Sequence, residues 1–522
     1  MNALDTEVLI VGAGPTGLTL ALWLVRLGVD IRIIDKSAAP GETSRALAVQ
    51  ARTLEFHRQI GVVDDVLEAG IRLEQLTART PEKVSAIIPL SRFGEGVSRY
   101  SYAFALPQDI HERVLVAHLE EAGVLIERQT ELVAFEEEDG GVTVTTSREG
   151  VKKAFRTRYI CGCDGARSTV RYSLGIGFPG GTYDQSFYVA DVDGDGEVTQ
   201  NGMDVCLGSY GFALIMPVRQ TGSLRLIGVV PEAHERDPVI TFEAIRPEIE
   251  RNTGIAIKAL NWFSTYRVHH RVADRFRVGR AFLLGDAGHI HSPAGGQGMN
   301  TGIGDAVNLA WKLAAVVQGR AAASLLDTYE TERLAFARVL IKSTDQAFKL
   351  VSGRSWLLGL WRRYAMAKVI SAITRTKIGA RAFFALISQT GISYRKSALS
   401  SGRAGAVQGG DRLPWVPVGE SDNHASLATL DWQVHVYGEI EPEFRVASSL
   451  AGIPLHHFDW STAAARAGLV RNTVYLVRPD GHVAIVAGQD ATVFERFIET
   501  FAIKPRPIEH RAVERSSTLT AV

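Results

Sequence analysis

Residues 285–302, GDAGHIHSPAGGQGMNTG, decide how this chain reads. They follow a short apolar run, residues 281–284, and lead into an apolar helical pattern over residues 303–317, so the spacing predicts a strand, a loop and a helix in succession. An acid, Asp286, stands where the strand should end. Gly285, Gly288, Gly295, Gly296 and Gly298 keep the following loop almost free of side chains, so backbone N–H groups can come close to a ligand. The helix expected from about Asn300 aims its positive end at the same place, which suits a flat, anionic guest.

One glycine-rich loop is commonly plain turn chemistry. A second, at the other end of the chain, changes the weight. Residues 7–11 are a buried-strand pattern, followed by Gly12-Ala13-Gly14-Pro15-Thr16-Gly17, a helical run over residues 18–27 ended by Gly28, and a strand over residues 30–35, DIRIID. In this β-turn-α-β unit the glycines permit a tight turn, close approach to a pyrophosphate and tight helix packing, and Asp35 closes the second strand. A carboxylate there repels a 2′-phosphate, so the dinucleotide is FAD or NAD rather than NADP.

Arg45 and Arg52 read as free cations beside the nucleotide crevice. Asp109 is the expected N-cap of a helix over residues 106–119, with Gln108 at its entrance. Residues 123–127 and 141–146 read as strands around an acidic turn. Residues 159–171, YICGCDGARSTVR, form a strand entering a glycine-flanked acid, Asp164-Gly165, with Arg167 and Arg171 behind it. From residue 177 to about 268 alternating, aromatic-rich strands replace the β-α rhythm, with strands expected at 186–191, 205–218 and 224–230. Phe212, Leu214 and Met216 alternate on one of them and are candidate pocket residues. After a helical stretch over 324–387, glycine and proline near residue 405 suggest a linker, and strands follow at 432–437, 472–476 and 482–486. The part of that stretch from Lys349 to Arg381 mixes Trp356, Leu357, Leu358, Leu360 and Trp361 with Arg354, Arg362, Arg363, Lys368 and Arg375. It reads as an amphipathic helix packed on its own protein rather than on a membrane surface.

At 522 residues the chain is long enough for two or three domains, and 57 basic against 57 acidic residues single out neither nucleic acid nor an acidic surface as partner. Cys161, Cys163 and Cys206 form no Cys-x-x-Cys pair and no zinc-ligand set, which fits a reducing cytoplasm without a metal. The first residues lack the basic start of a signal peptide, and charge interrupts every apolar run before it could span a bilayer.

GAGPTG with Asp35, the Cys163-Asp164-Gly165 site and the opening motif together resemble the group A flavoprotein monooxygenases, FAD-dependent aromatic hydroxylases. LVRPDGHVA at residues 476–484 extends the likeness to the phenol and polyketide hydroxylase branch. The resemblance implies an α/β fold in which a Rossmann-like FAD-binding domain (1–176 and 269–400, the latter with a helical segment) carries an inserted mixed β-sheet substrate domain (177–268) and a thioredoxin-like C-terminal domain (401–522). It implies that Gly12, Gly14, Pro15, Thr16, Gly17, Asp35 and Lys36 hold the ADP half of FAD. Arg45 and Gln108 would meet the ribityl and pyrophosphate region, and Leu132 the adenine side. Asp164 and Gly165 would serve both FAD and the nicotinamide cofactor. Asp286 would bond the ribityl chain, Gly298, Met299 and Asn300 would support the pyrimidine edge, and Pro293 would lie beside the reactive face.

The implied activity is hydroxylation of a phenolic or polyketide-like substrate through a C4a-hydroperoxyflavin, with O₂ and NADH or NADPH consumed. NAD(P)H would bind transiently near Arg45 and Asp164. His289 and His291 are the nearest candidates for a catalytic base. Baeyer–Villiger oxidation, epoxidation, antibiotic inactivation or a non-catalytic flavin-binding role stay open, as does a homodimer. Two departures stand out: Leu47 takes the place of an acid that phenol hydroxylases carry, and the thioredoxin Cys-x-x-Cys is absent, so the last domain should have a structural or dimer role.

Overall fold

The computed structural model describes residues 4–506 apart from 42–46, 81–82, 92, 139, 197–201, 208–211, 219–221, 236, 238, 293–295 and 353–354; Arg45, Pro293 and Gly295 therefore lie outside the described residues. Strand Thr6–Val11 is flanked in parallel by Ile31–Ile34 on one side and Val151–Gly162 on the other, and Ala281–Leu283 extends the parallel run. The apolar residues of these strands, Val8 to Val11, Ile31, Ile33, Ile34, Ile160, Cys161 and Ala281 to Leu283, are buried, as expected where helices cover both faces. Helix Pro15–Arg26 starts three residues earlier than the apolar pattern suggests, because Pro15 has its φ pre-set for the first helical position.

The antiparallel strands Thr130–Glu138 and Gly141–Arg148 complete this sheet. The acidic run 136–138 is thus the end of an exposed edge strand and not a turn. Residues 123–127 form no strand; only Glu127 bridges Ile34. Helix Gln108–Glu121 begins at Gln108 with Pro107 at the cap position, so Asp109 is a first-turn acid facing Arg113 at 3.1 Å and not the N-cap.

A second sheet has eight strands, in the order His289–Ile290, Ala256–Val272, Gly180–Asp195, Leu224–Val229, Phe212–Pro217, Gly202–Leu207, Gln75–Thr80 and Lys83–Pro89. Residues 205–218 are therefore a hairpin of two strands. The insert also draws in strands from both flanking segments, so the boundaries at 177 and 268 do not delimit this sheet. Helix Phe242–Thr253 covers one face: Phe242, Ile245 and Ile249 recur at helical spacing, Thr241 caps Ala244, and Gly254 closes the helix at φ +73°. Ala213 and Ile215 pack beneath it, whereas Leu214 and Met216, one residue out of phase, join the core shared with the first sheet.

The C-terminal sheet has the order Leu455–Phe458, Gln433–Tyr437, Val474–Val477, Val483–Ala487, with only the first pair parallel. The region around residue 405 is no flexible linker. It forms short paired strands, Arg403–Ala404 with Val407–Gln408, and a Cβ at Gly410 would meet the Tyr394 carbonyl carbon at 2.4 Å. The seam with the rest of the protein is ionic and buried. Arg478 reaches Glu332 at 2.7 Å, Lys312 reaches the same carboxylate at 2.8 Å, and Asp480 accepts from Trp311 Nε1 at 3.2 Å. Arg52 belongs to this seam and is not a free cation: it pairs with Glu55 at 2.9 Å and donates to the Asp480 carbonyl at 2.6 Å.

Under the first helices, His57 on Ala51–Gln59 faces His111 on Gln108–Glu121, Nε2 to Nε2 at 2.8 Å, both wholly buried. Burial, with His111 and His118 behind it, pushes His57 well below the usual imidazole range, and burial pushes His111 down to about 4. Between pH 6.5 and these values the unfolded chain takes up protons that the native pair refuses, so stability present above pH 6.5 is lost as pH falls. By pH 5 His111 alone is expected to cost ~2 kcal/mol. Urea unfolding at pH 7.5 and pH 5 reads this directly; identical free energies would show that the pair is not buried neutral.

Candidate active site

Three loops leave the carboxyl edge of adjacent parallel strands: Gly12 after Val11, Cys163-Asp164 after Gly162, and Leu284-Gly285-Asp286 after Leu283. In register, Val11 and Leu283 both sit opposite Gly162. In open α/β sheets this edge is where ligands bind. The remote motifs are joined by contacts that only glycine allows. A Cβ at Gly285 would lie 2.7 Å, and one at Gly302 2.2 Å, from Thr16 Oγ1, so the Thr16 side chain is wedged between the opening loop and helix Gly298–Val317. Arg171, also buried, ties the third loop in by donating to the carbonyls of Ala166 and Ala287, each at 2.7 Å.

The turn itself discriminates between inside and outside. A Cβ at Gly12 would meet the Cys163 carbonyl oxygen at 2.4 Å and one at Gly17 the Gly12 carbonyl oxygen at 2.0 Å, but one at Gly14 meets nothing within 4 Å. Gly14 therefore faces open space. Two helices begin at this edge, Pro15–Arg26 and Gly298–Val317, and neither has a side-chain cap or a first-turn acid. Their first N–H groups and positive dipole ends are left for an outside anion. Asp35 accepts from Ala13 N–H and Ser37 N–H, both at 2.7 Å, holding the turn closed, and Lys36 is exposed beside it. Leu132 is buried on the neighbouring strand, whose Thr130 N–H reaches the Asp35 carbonyl. Gln108 donates to Glu112 at 2.8 Å from the first turn of its helix.

Burial raises the Asp164 carboxyl above its ordinary value, opposed by hydrogen bonds from Ser168 and the Val170 N–H, and Gly165 follows at φ +74°. The Asp286 side chain is exposed at the end of its strand, and Met299 is half-buried. Asn300 is fully committed to protein: it donates to the Ala48 and Gly296 carbonyls and accepts from Gln50 N–H and Thr53 Oγ1. It positions the segment around residue 50, and what this turn of helix offers a ligand is backbone N–H.

His289 is held by the protein rather than turned to open space. It is buried with Nε2 on Asp305 at 2.7 Å, and Asp305 also accepts from Gly285 N–H at 2.9 Å and pairs with Arg333 at 2.5 Å. Asp305 is the organiser that sequence reasoning passed over. A signal existed: it and Lys312 are the sole charged residues in Gly298–Val317, and a charge on a buried helix needs a partner. His291 lies beside Gly298, 3.9 Å from where a Cβ there would stand, and burial pushes its imidazole down to about 4. It is thus neutral at ordinary pH. Phe212, Leu214 and Met216 share one sheet face: Leu214 and Met216 join the core shared with the first sheet, and Phe212 packs with Phe187 and Tyr266.

Residues 5–344 match the family described as FAD binding domain. A 6-methylpretetramide 4-monooxygenase from Streptomyces rimosus is 37% identical over 67% of this chain and 63% of that relative. A flavin-dependent monooxygenase from Mycobacteroides abscessus is 32% identical over 94% of this chain and 98% of its own length. Among solved structures, an aklavinone-11 hydroxylase in ternary complex with FAD and aklavinone superposes with a TM-score of 0.78 at 25% identity, covering 96% of this chain and 99% of that one. An edge shaped for a dinucleotide, a match over most of the chain and relatives of this kind lead to one assignment: the chain belongs to the FAD-binding family of flavin-dependent aromatic monooxygenases.

Proposed function

We propose that this protein hydroxylates a bulky, weakly charged aromatic substrate of the phenolic or polyketide class, consuming O₂ and NAD(P)H. The observation that carries the reading is the meeting of three glycine-bearing loops and two uncapped helix N-termini at one sheet edge, beside an apolar sheet face. Bound FAD, reduced by NAD(P)H, supplies the activation of O₂ that places one oxygen atom on the ring.

The chain's own residues bind, orient and keep water out. Gly12, Gly14 and Gly17 with the N-terminus of Pro15–Arg26 hold the pyrophosphate, and Asp35 and Leu132 border the adenosine. Asp286 and Gln108 hold the ribityl region, and Asp164-Gly165 the third side of the crevice. The positive end of Gly298–Val317 would face the pyrimidine edge of the ring system and favour negative charge there. Phe212, Leu214 and Met216 form the apolar wall that orients substrate. Neutral His291 can accept a hydrogen bond at the mouth but stores no proton. The C-terminal unit, read as thioredoxin-like, contains none of the described cysteines and serves structurally; its four-stranded sheet with one parallel pair supports that reading. Three unpaired cysteines fit a cytoplasmic location.

The test is purified protein loaded with FAD and offered NADH or NADPH with phenols, polyphenols and polyketide aromatics under ¹⁸O₂, with products read by mass spectrometry. A ring product carrying one ¹⁸O is expected. Ring-expanded esters or lactones would redirect the reading to Baeyer–Villiger oxidation, and flavin that neither nicotinamide reduces would remove it.

A further inference from the structure

The stretch read above as a packed amphipathic helix is inside out. It is a succession of helices, Trp356–Leu360, Trp361–Met366, Ala367–Thr374 and Lys377–Ile387. Trp356, Leu357, Leu360, Trp361 and Tyr364 are exposed, Trp356 to 72%, and Val369 and Ile373 are exposed on the following helix. Trp356, Leu360 and Tyr364, and Leu357 with Trp361, recur at four-residue spacing, which places these five on one face. The inward side carries Ala367 and the fully buried Arg362. Ala367–Thr374 packs on strand Lys83–Pro89 through Ala367 and Ala86, and the next helix adds Ile378, exposed to 84%. Large exposed apolar side chains gathered on one helix face mark an interaction site.

Charge selects the partner. Residues 346–387 contain eight Lys and Arg and no Asp or Glu, in a chain whose formal net charge is zero. Lys368, Arg375, Lys377 and Arg381 are exposed in the same stretch. A second copy of the same face would bring like charges together. An anionic bilayer surface satisfies every component: aliphatic side chains enter the acyl boundary, Trp and Tyr rings lie at headgroup level, and the cations meet lipid phosphates. Among the described residues no helix is long and apolar enough to cross a membrane, so contact is along the surface. We propose that this face docks the protein on anionic phospholipid membranes.

The experiment uses the full-length, FAD-loaded protein with vesicles of phosphatidylcholine alone or mixed with phosphatidylglycerol, read by co-sedimentation and by tryptophan quenching with brominated lipids. Wild type is expected to bind the anionic vesicles, more weakly as salt rises, with its tryptophan emission quenched. Lys368→Gln/Arg375→Gln/Lys377→Gln should weaken that binding on the order of a hundredfold. Trp356→Ser/Trp361→Ser should lose most of the quenching. The flavin spectrum and Tm verify the variants, and the wild-type quenching stands without them. Absence of binding to anionic vesicles at low salt would overturn the proposal. So would binding that both sets of substitutions leave unchanged. A dimer that Trp356→Ser/Trp361→Ser converts to monomer, with no vesicle binding, would assign the face to a second copy instead.

Discussion

Gly14→Ala is expected to yield a folded protein that no longer retains FAD. The added methyl meets no protein atom within 4 Å, and the φ of −79° is ordinary for alanine, so neither packing nor backbone opposes it. What it enters is the open space at the start of Pro15–Arg26, where a pyrophosphate must come against the backbone. A loss of about 3 kcal/mol of binding, roughly a hundredfold in affinity, is the expected scale. Gly17→Ala is the contrast: its methyl would lie 2.0 Å from the Gly12 carbonyl oxygen, so the turn itself must open and both Tm and flavin content should fall. Calorimetry with the flavin-to-protein absorbance ratio separates the two. A Gly14→Ala protein with full flavin content would show that the crevice is not used for FAD.

Glu332→Ala should destabilise the protein by about 3–5 kcal/mol, because Arg478 and Lys312 would be left buried with one carboxylate fewer between them. Burial by itself would raise the Glu332 carboxyl, yet the two cations hold it well below the usual carboxylate range, and burial pushes Lys312 down to about 8. The charges therefore depend on one another. Since Arg478 belongs to the C-terminal unit and Glu332 and Lys312 to the body, the variant should also release the C-terminal unit to protease. Unfolding free energies from urea titration, with limited proteolysis, measure both effects. A change below about 1 kcal/mol would mean the seam is held by Trp311 against Trp432 and similar apolar contacts alone.

The meeting of the two glycine-bearing loops was legible in the sequence. The glycine turns at residues 12–17 and 285–298 are written locally, because φ values, close approaches and helix starts depend on neighbours in sequence, and Thr16 wedged between Gly285 and Gly302 confirms that the two meet. The strands at 75–89 were not legible: their alternation is weak, and what makes them strands is pairing with Gly202–Leu207 far along the chain. The burial of Arg52, the seating of His289 on Asp305 and the outward face of Trp356 and Trp361 were equally hidden.

By itself the sequence determined the class of ligand edge, the helix and strand periods around it and the family to which the chain belongs. Tertiary structure alone decided which charges are paired, which histidine is locked, which segments complete the second sheet and which amphipathic stretch stays uncovered. The physical reason is that a turn's conformational preference is a property of a few adjacent residues, whereas the free energy of a buried charge or an apolar face is set by whatever the fold places opposite it.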